Sequence, residues 1–183
     1  MIEINLLANI GYLRNVTLFG VPINQKHLAV WLYENLWAYY RDLGWIVELG
    51  TGHGALTLHW AMCAAVRGVP FASFDNQVIE RPRVVSAVRA LGGKIIQADV
   101  FTQMDQVKAV ISSEEPGLLF CDNGDKPREI ETFAPMTAVG TIVLGHDFPK
   151  EWKRLTYPGV EVLEPWHSQA QLHFLRVAVF RRV

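Results

Sequence analysis

Hydrophobic and polar positions alternate between two rhythms along this chain. From residue 44 onward, short apolar runs of strand type take turns with stretches whose apolar residues recur at three- and four-residue steps. The runs predict strands at Ile46–Leu49, residues 70–74, Lys94–Gln97, residues 117–121, residues 141–144 and residues 160–163, with a last one inside residues 172–180. Between them the helical rhythm predicts helices at residues 54–67, from Pro82 to about Leu91, at residues 104–112, from about Pro127 to just before Pro135, and a short one at residues 150–155. Gly68 and Gly92-Gly93 are suitable stops, and Pro82 suits a first turn. Strands alternating with helices imply a parallel sheet covered on both faces. The last two strands have no convincing helix between them, which predicts an antiparallel edge hairpin.

Upstream the pattern is weaker. Asn5, Asn9, Gly11, Asn15, Gly20 and Pro22 interrupt short apolar pieces, giving a loose lead-in with one helical turn. A helix capped by Asn24 and running to about Asp42 follows, with Leu28, Trp31, Leu32, Leu36, Tyr39 and Leu43 on one face. Its aromatic residues Trp31, Tyr33, Trp37, Tyr39 and Tyr40 read as core packing, with a substrate-facing wall or an oligomer contact as alternatives. With 183 residues and no repeat or linker, one domain spanning 1–183 is expected, its first 43 residues a helical lead-in.

Composition narrows the class. Hydrophobic residues at 50% and charged residues at 19% describe a globular chain, and a net charge of −1 without a basic stripe argues against a nucleic-acid surface. Cys63 and Cys121 sit in apolar contexts without metal-ligand spacing. No run reaches membrane-spanning length and the N-terminus lacks the pattern of a secretory signal, so a cytoplasmic protein without membrane partners is the expectation.

Candidate chemistry concentrates at one stretch, Trp45-Ile46-Val47-Glu48-Leu49-Gly50-Thr51-Gly52-His53-Gly54. A strand ends in an acid, three glycines follow at alternate positions, and a helix begins. Such a turn lets backbone approach a nucleotide-like ligand closely. The other strands end in acids too: Asp75, Asp99, Asp122 and Asp147. In open parallel sheets the ligand lies beyond these strand ends. Carboxylates gathered there can bind hydroxyls and amines of a ligand, or a cation.

Glu48-x-Gly50-x-Gly52-x-Gly54, with Asp75 and Ala98-Asp99-Val100-Phe101 in register, resembles the class I S-adenosylmethionine-dependent methyltransferases over residues 44–183. The resemblance implies a three-layer Rossmann-like fold with a seven-stranded, mostly parallel sheet and an antiparallel C-terminal hairpin. It implies S-adenosylmethionine as cofactor, held by Glu48, Gly50, Thr51, Gly52, His53 and Gly54 at the turn. Asp75 and Asn76 would serve the ribose, Asp99 and Val100 the adenine, and Asp122 would close the site.

Asp122-Asn123-Gly124-Asp125-Lys126 and Gly145-His146-Asp147 look like the branch of small-molecule O-methyltransferases that includes catechol-type, macrolide-sugar and cephalosporin-tailoring enzymes. By that resemblance Asp122 and Asp147 bind Mg²⁺ or Mn²⁺, with Asn123, Asp125 or His146 as further ligands. The catechol-type pattern places Lys one residue earlier than Lys126 stands. Lys126, if burial or a metal lowers its pKa, and His146 are the candidate bases. The same Asp147 also suits a helix cap, and Lys126 an ion-pair partner of Asp122 or Asp125.

His53 would flank the cofactor's carboxylate end. His59 reads as packing or surface, Trp166 and His167 as loop residues bordering an acceptor pocket or as ordinary loop side chains. The expected function is methyl transfer to a small-molecule acceptor, at a hydroxyl oxygen, by a monomer or homo-oligomer. A nicotinamide-dinucleotide oxidoreductase is the alternative, since Gly50-x-Gly52-x-x-Ala55 satisfies that fingerprint. A non-catalytic methyltransferase-like binding protein is the other.

Overall fold

The computed structural model describes residues 17–77 and 81–183. The expected lead-in up to residue 16 and the approach to Pro82 lie outside the described residues. Alternate positions of each central strand bury on opposite sides of one sheet, which requires covering layers on both.

Among the described residues the first elements are the two-residue strands β1 (Thr17–Leu18) and β2 (Val21–Pro22), then helix α1 (His27–Tyr39). Strand β3 (Ile46–Leu49) leads through the glycine turn to α2 (Ala55–Arg67). Next come β4 (Phe71–Asp75), α3 (Pro82–Ala90), β5 (Lys94–Gln97) and α4 (Met104–Ile111). The second half holds β6 (Leu118–Cys121), α5 (Lys126–Phe133), a 3-10 turn at Ala134–Met136, β7 (Ile142–His146), β8 (Val160–Val162), α6 (Trp166–Leu172) and β9 (Val177–Arg182).

The seven strands from β3 onward form one sheet in the order β5-β4-β3-β6-β7-β9-β8. Strands β3 to β7 run parallel, while β9 is antiparallel to both β7 and β8. The expected hairpin is present, with two refinements. α6 lies inside its connection, and the last strand is inserted between β7 and β8, which leaves β8 at the edge. A long connection lets the chain skip one strand position before returning antiparallel.

Ile46, Leu118, Phe120, Ile142, Leu144, Val177 and Val179 pack beneath α1, α2 and α6. Val47, Leu49, Leu119, Cys121, Val143 and Phe180 pack beneath α4 and α5 on the other face. Each fully buried large side chain contributes about 1.5–3 kcal/mol. On the first face Tyr33 of α1 meets Trp60 of α2 and Phe120 of β6, each with ring centroids 5.4 Å away.

Two local expectations change. The buried face of α1 comprises Ala29, Val30, Leu32, Tyr33, Leu36 and Trp37, while Trp31 and Tyr39 are exposed. The aromatic cluster around Tyr33 rotates the helix away from the stripe read in sequence. Residues 150–155 form no helix. A turn follows β7 instead, Trp152 is buried, and its Nε1 donates to the His146 carbonyl at 2.6 Å. Burying that indole against Phe148 and Phe180 outweighs a short exposed helix.

Candidate active site

The sheet order turns around between β3 and β6, and ligands bind at such a point, beyond the strands' carboxyl ends. An open cleft of about 340 Å³ lies there. It brings together Glu48, Gly50, Thr51, Gly52, His53 and Gly54 with Asp122, His146 and Asp147. The β2–α1 connection forms the opposite wall through Pro22, Ile23, Asn24 and Gln25, and Ala55, Leu56, Glu151 and Arg176 complete the lining.

The glycine turn is held by its neighbours. Gly50 has φ +96, and a Cβ there would lie 2.4 Å from the Asp122 carbonyl oxygen. β3 and β6 therefore touch backbone to backbone where the cleft begins. Gly52, at φ +52, has open space where a Cβ would project. The Asp75 carboxylate lies behind the turn. Its Oδ2 accepts the N–H groups of Thr51 at 2.8 Å and Gly52 at 3.1 Å, and its Oδ1 accepts that of Gln77 at 2.9 Å.

Glu48 lies on the Ile46 face of β3, under α2. Its Oε2 accepts the hydroxyls of Thr57 and Ser73, both at 2.6 Å. Burial nevertheless pushes this carboxyl up to about 8, because two neutral donors do not replace its lost water. A cation entering the cleft would favour its ionised form.

Asp75, Asn76, Asp99 and Val100 lie outside the lining of the cleft among the described residues. They stand side by side at the ends of β4 and β5, where Ala98 N–H donates to the Asp75 carbonyl at 2.8 Å. Asp99 Oδ1 accepts the N–H of Phe101 at 2.9 Å, Asn76 is exposed and Val100 is buried.

On the far side, ionic groups converge. Lys126, first residue of α5 and 5% exposed, places Nζ 3.6 Å from Asp122, 3.2 Å from Asp147 and 3.0 Å from Glu151. Burial alone would lower its pKa, but the hydrogen bond to Glu151 and the charges of Asp122 and Asp147 outweigh that and raise it. Lys126 thus holds its proton, and burial does not make it a base. Burial tends to raise the Asp147 carboxyl, yet His146, Lys126 and Arg176 together hold it below its ordinary value.

His146 Nδ1 lies 3.2 Å from Asp122 Oδ1 and 3.5 Å from Asp147 Oδ2. A carboxylate only accepts, so Nδ1 is assigned a hydrogen. His146 is 4% exposed, and its ring stacks on Phe120.

Asp122, His146 and Asp147 each offer a ligand atom within 4.8 Å of the others, a donor set compatible with a divalent cation. Their carboxylate oxygens are already engaged. Asp122 Oδ1 faces His146 and Lys126, and Asp122 Oδ2 accepts from Gln25. Asp147 Oδ1 pairs with Arg176, and Asp147 Oδ2 accepts from Lys126. A cation bound here would share these oxygens with Lys126, Gln25 and Arg176.

Asp125 is used elsewhere, and Asn123 is tied through its backbone. Asn123 N–H donates to Glu129 at 3.3 Å, and Asp125 accepts from Arg128 N–H as the cap of α5. Asp147 also carries backbone duty, its carbonyl accepting Glu151 N–H at 2.9 Å in the turn after β7. Trp166 and His167 belong to α6. Trp166 meets Tyr39, and His167 packs on Phe148, so neither borders the cleft. His59 is buried against Trp60.

Gln25, Glu151 and Arg176 carry no mark in the sequence, and Tyr33 reads there only as one of the aromatic residues of its helix. Tyr33 donates to Gln25 at 3.1 Å and Gln25 donates to Asp122 at 3.2 Å, so a chain of polar contacts runs from the core to the site. Nothing local marks Gln25, which lies 97 residues from Asp122.

Neither a family profile nor a curated protein sequence matches the chain. Solved structures do. Ligand-free CmcI superposes with a TM-score of 0.69 at 14% identity, over 92% of this chain and 76% of that one. CmcI in its Mg–SAM form gives 0.65 at 17% identity, again over 92% and 76%. A proposed O-methyltransferase from Klebsiella pneumoniae gives 0.59 at 11% identity, over 90% of this chain and 84% of that one. At these identities the likeness establishes the fold, the Rossmann-like architecture of methyltransferases. Among the described residues no helix is long and apolar enough to cross a membrane.

Proposed function

We propose that this chain is an S-adenosylmethionine-dependent methyltransferase acting on a hydroxyl of a small molecule. The observation that carries the proposal is the joint lining of one cleft by the bare glycine turn, buried Glu48 and the Asp122–His146–Asp147 group. The fold shared with CmcI, whose structures include Mg–SAM and SAH forms, supports it.

The turn's open backbone at Gly52 suits close approach of a ligand. Glu48, Asp122, Asp147 and Glu151 line the cleft with one cationic side chain, Arg176, an acidic excess that favours a cationic ligand group over a pyrophosphate. This counts against a nicotinamide dinucleotide. The methionyl ammonium would face Glu48, and the nucleoside would extend toward Asp75 and Asp99.

When bound, S-adenosylmethionine supplies an electrophilic methyl group on sulfonium sulfur. The residues of this chain then have to orient an acceptor oxygen and take its proton. His146 Nε2 is the group assigned to that proton, with Asp122 holding the tautomer. Protonated Lys126 keeps Asp122 and Asp147 in place. Much of the acceleration would come from aligning two bound reactants.

Calorimetry with S-adenosylmethionine and with NAD tests the reading. Saturable binding of the first and none of the second is expected; preference for NAD would overturn it. Turnover of a hydroxylated acceptor would separate an enzyme from a binding protein of the same fold.

A further inference from the structure

The two carboxylates that the sequence assigns to a metal are already bridged by a cation that belongs to the chain. Lys126 Nζ reaches Asp122, Asp147 and Glu151 at 3.6, 3.2 and 3.0 Å. Arg176 takes the other oxygen of Asp147, and Gln25 the other oxygen of Asp122. No carboxylate oxygen of Asp122 or Asp147 lacks a donor or a cation.

The position of Lys126 strengthens the point. It opens α5, where the partial charge of the helix end is positive and a lysine is disfavoured. Its side chain is nevertheless 6% exposed. Three carboxylates around the ammonium supply the attraction that offsets both desolvation and the helix end.

We infer that the Lys126 ammonium occupies the cation position of this site, so that Asp122 and Asp147 are held together without a divalent ion. A divalent ion approaching the same oxygens would meet a like charge a few ångströms away and would have to expel Lys126 into the cleft. Removing the ammonium while keeping its hydrophobic stem should turn the group into a divalent-cation site. Its ligands would be Asp122, His146 and Asp147, the three that already converge.

This inference is independent of the methyl-transfer reading, since its readout is metal binding to the protein alone. Mn²⁺ is titrated into wild type and Lys126→Met, and free Mn²⁺ is followed by electron paramagnetic resonance. Wild type is expected to bind about 100-fold more weakly than the variant, or not at all, reflecting the charge that must be displaced. Equal affinity, tighter binding by wild type, or failure of a folded Lys126→Met to bind would each overturn the inference.

Should Lys126→Met not fold, thermal melting of wild type decides. No change in Tm between millimolar Mg²⁺ and chelator is expected. A rise with Mg²⁺ at the same ionic strength would show that the native fold binds the ion, and would overturn the inference.

Discussion

Alanine at Gly50 and alanine at Gly52 should behave very differently, although both glycines belong to one turn and both have positive φ. At Gly52 the angle of +52 lies in the left-handed region, and a Cβ would meet nothing among the described residues within 4 Å. The cost is the left-handed penalty alone, about 1–2 kcal/mol. At Gly50 the angle of +96 is outside that region, and such strain costs about 1–3 kcal/mol. The added Cβ would also lie 2.4 Å from the Asp122 carbonyl oxygen and 2.9 Å from the Asn123 nitrogen, against 3.4 Å for ordinary contact.

Those neighbours are backbone and cannot rotate aside, so β3 and β6 must part by about an ångström. Parting strains the bonds from Asp122 N–H to the Leu49 carbonyl at 2.8 Å and from Gly50 N–H to the Phe74 carbonyl at 2.7 Å. Two weakened hydrogen bonds cost about 1–3 kcal/mol together. Added to the strain, Gly50→Ala should lose about 2–6 kcal/mol, a large part of the stability of a domain this size. Urea unfolding followed by circular dichroism measures both variants. Gly52→Ala should keep a cooperative transition close to wild type. Gly50→Ala should unfold at much lower urea or fail to accumulate as a folded protein. Stabilities for the two within about 1 kcal/mol of each other would refute the backbone contact between β3 and β6.

Other outcomes are expected from the same structure. Asp75→Ala removes the acceptor of three backbone N–H groups. It should weaken S-adenosylmethionine binding by about 1–3 kcal/mol, and unchanged calorimetric affinity would take Asp75 out of the site. Glu129 is buried, leaves Oε1 without a partner among the described residues, and has its carboxyl pushed by burial to about 8 from 4.5. The folded state therefore binds this proton more tightly than the unfolded state does. The stability it contributes is full below about pH 4.5 and is lost as pH rises toward 8. Glu129→Gln should accordingly gain on wild type between pH 5 and pH 8, by a margin of about 2–4 kcal/mol at the upper end. Parallel stability profiles for the two proteins would show that Glu129 does not titrate in this way.

Most of the strand and helix pattern was legible because it rests on short-range causes. Ile46–Leu49, Lys94–Gln97 and the helix beginning at Pro82 follow from apolar period, glycine stops and proline's fixed φ, all acting within a few residues. The segment after β7 failed for the opposite reason. Whether residues 150–155 coil depended on Trp152 finding Phe148, Phe180 and the His146 carbonyl. The α1 stripe failed similarly, since Tyr33 gains its place from Trp60 and Phe120.

By itself the sequence determined an alternating α/β chain with a glycine turn after an acidic strand end, and with more acids at the ends of later strands. These are properties of single segments, set by local backbone geometry and side-chain period. The tertiary structure decided the strand order, with β9 inserted between β7 and β8, and thereby brought Arg176 onto Asp147. It also brought Gln25 across 97 positions to Asp122, and closed Lys126 among three carboxylates. Charge pairing and burial depend on distances between segments remote in the chain, so the protonation of Lys126 and Glu48, and with it the chemistry open to the site, exists only in the folded molecule.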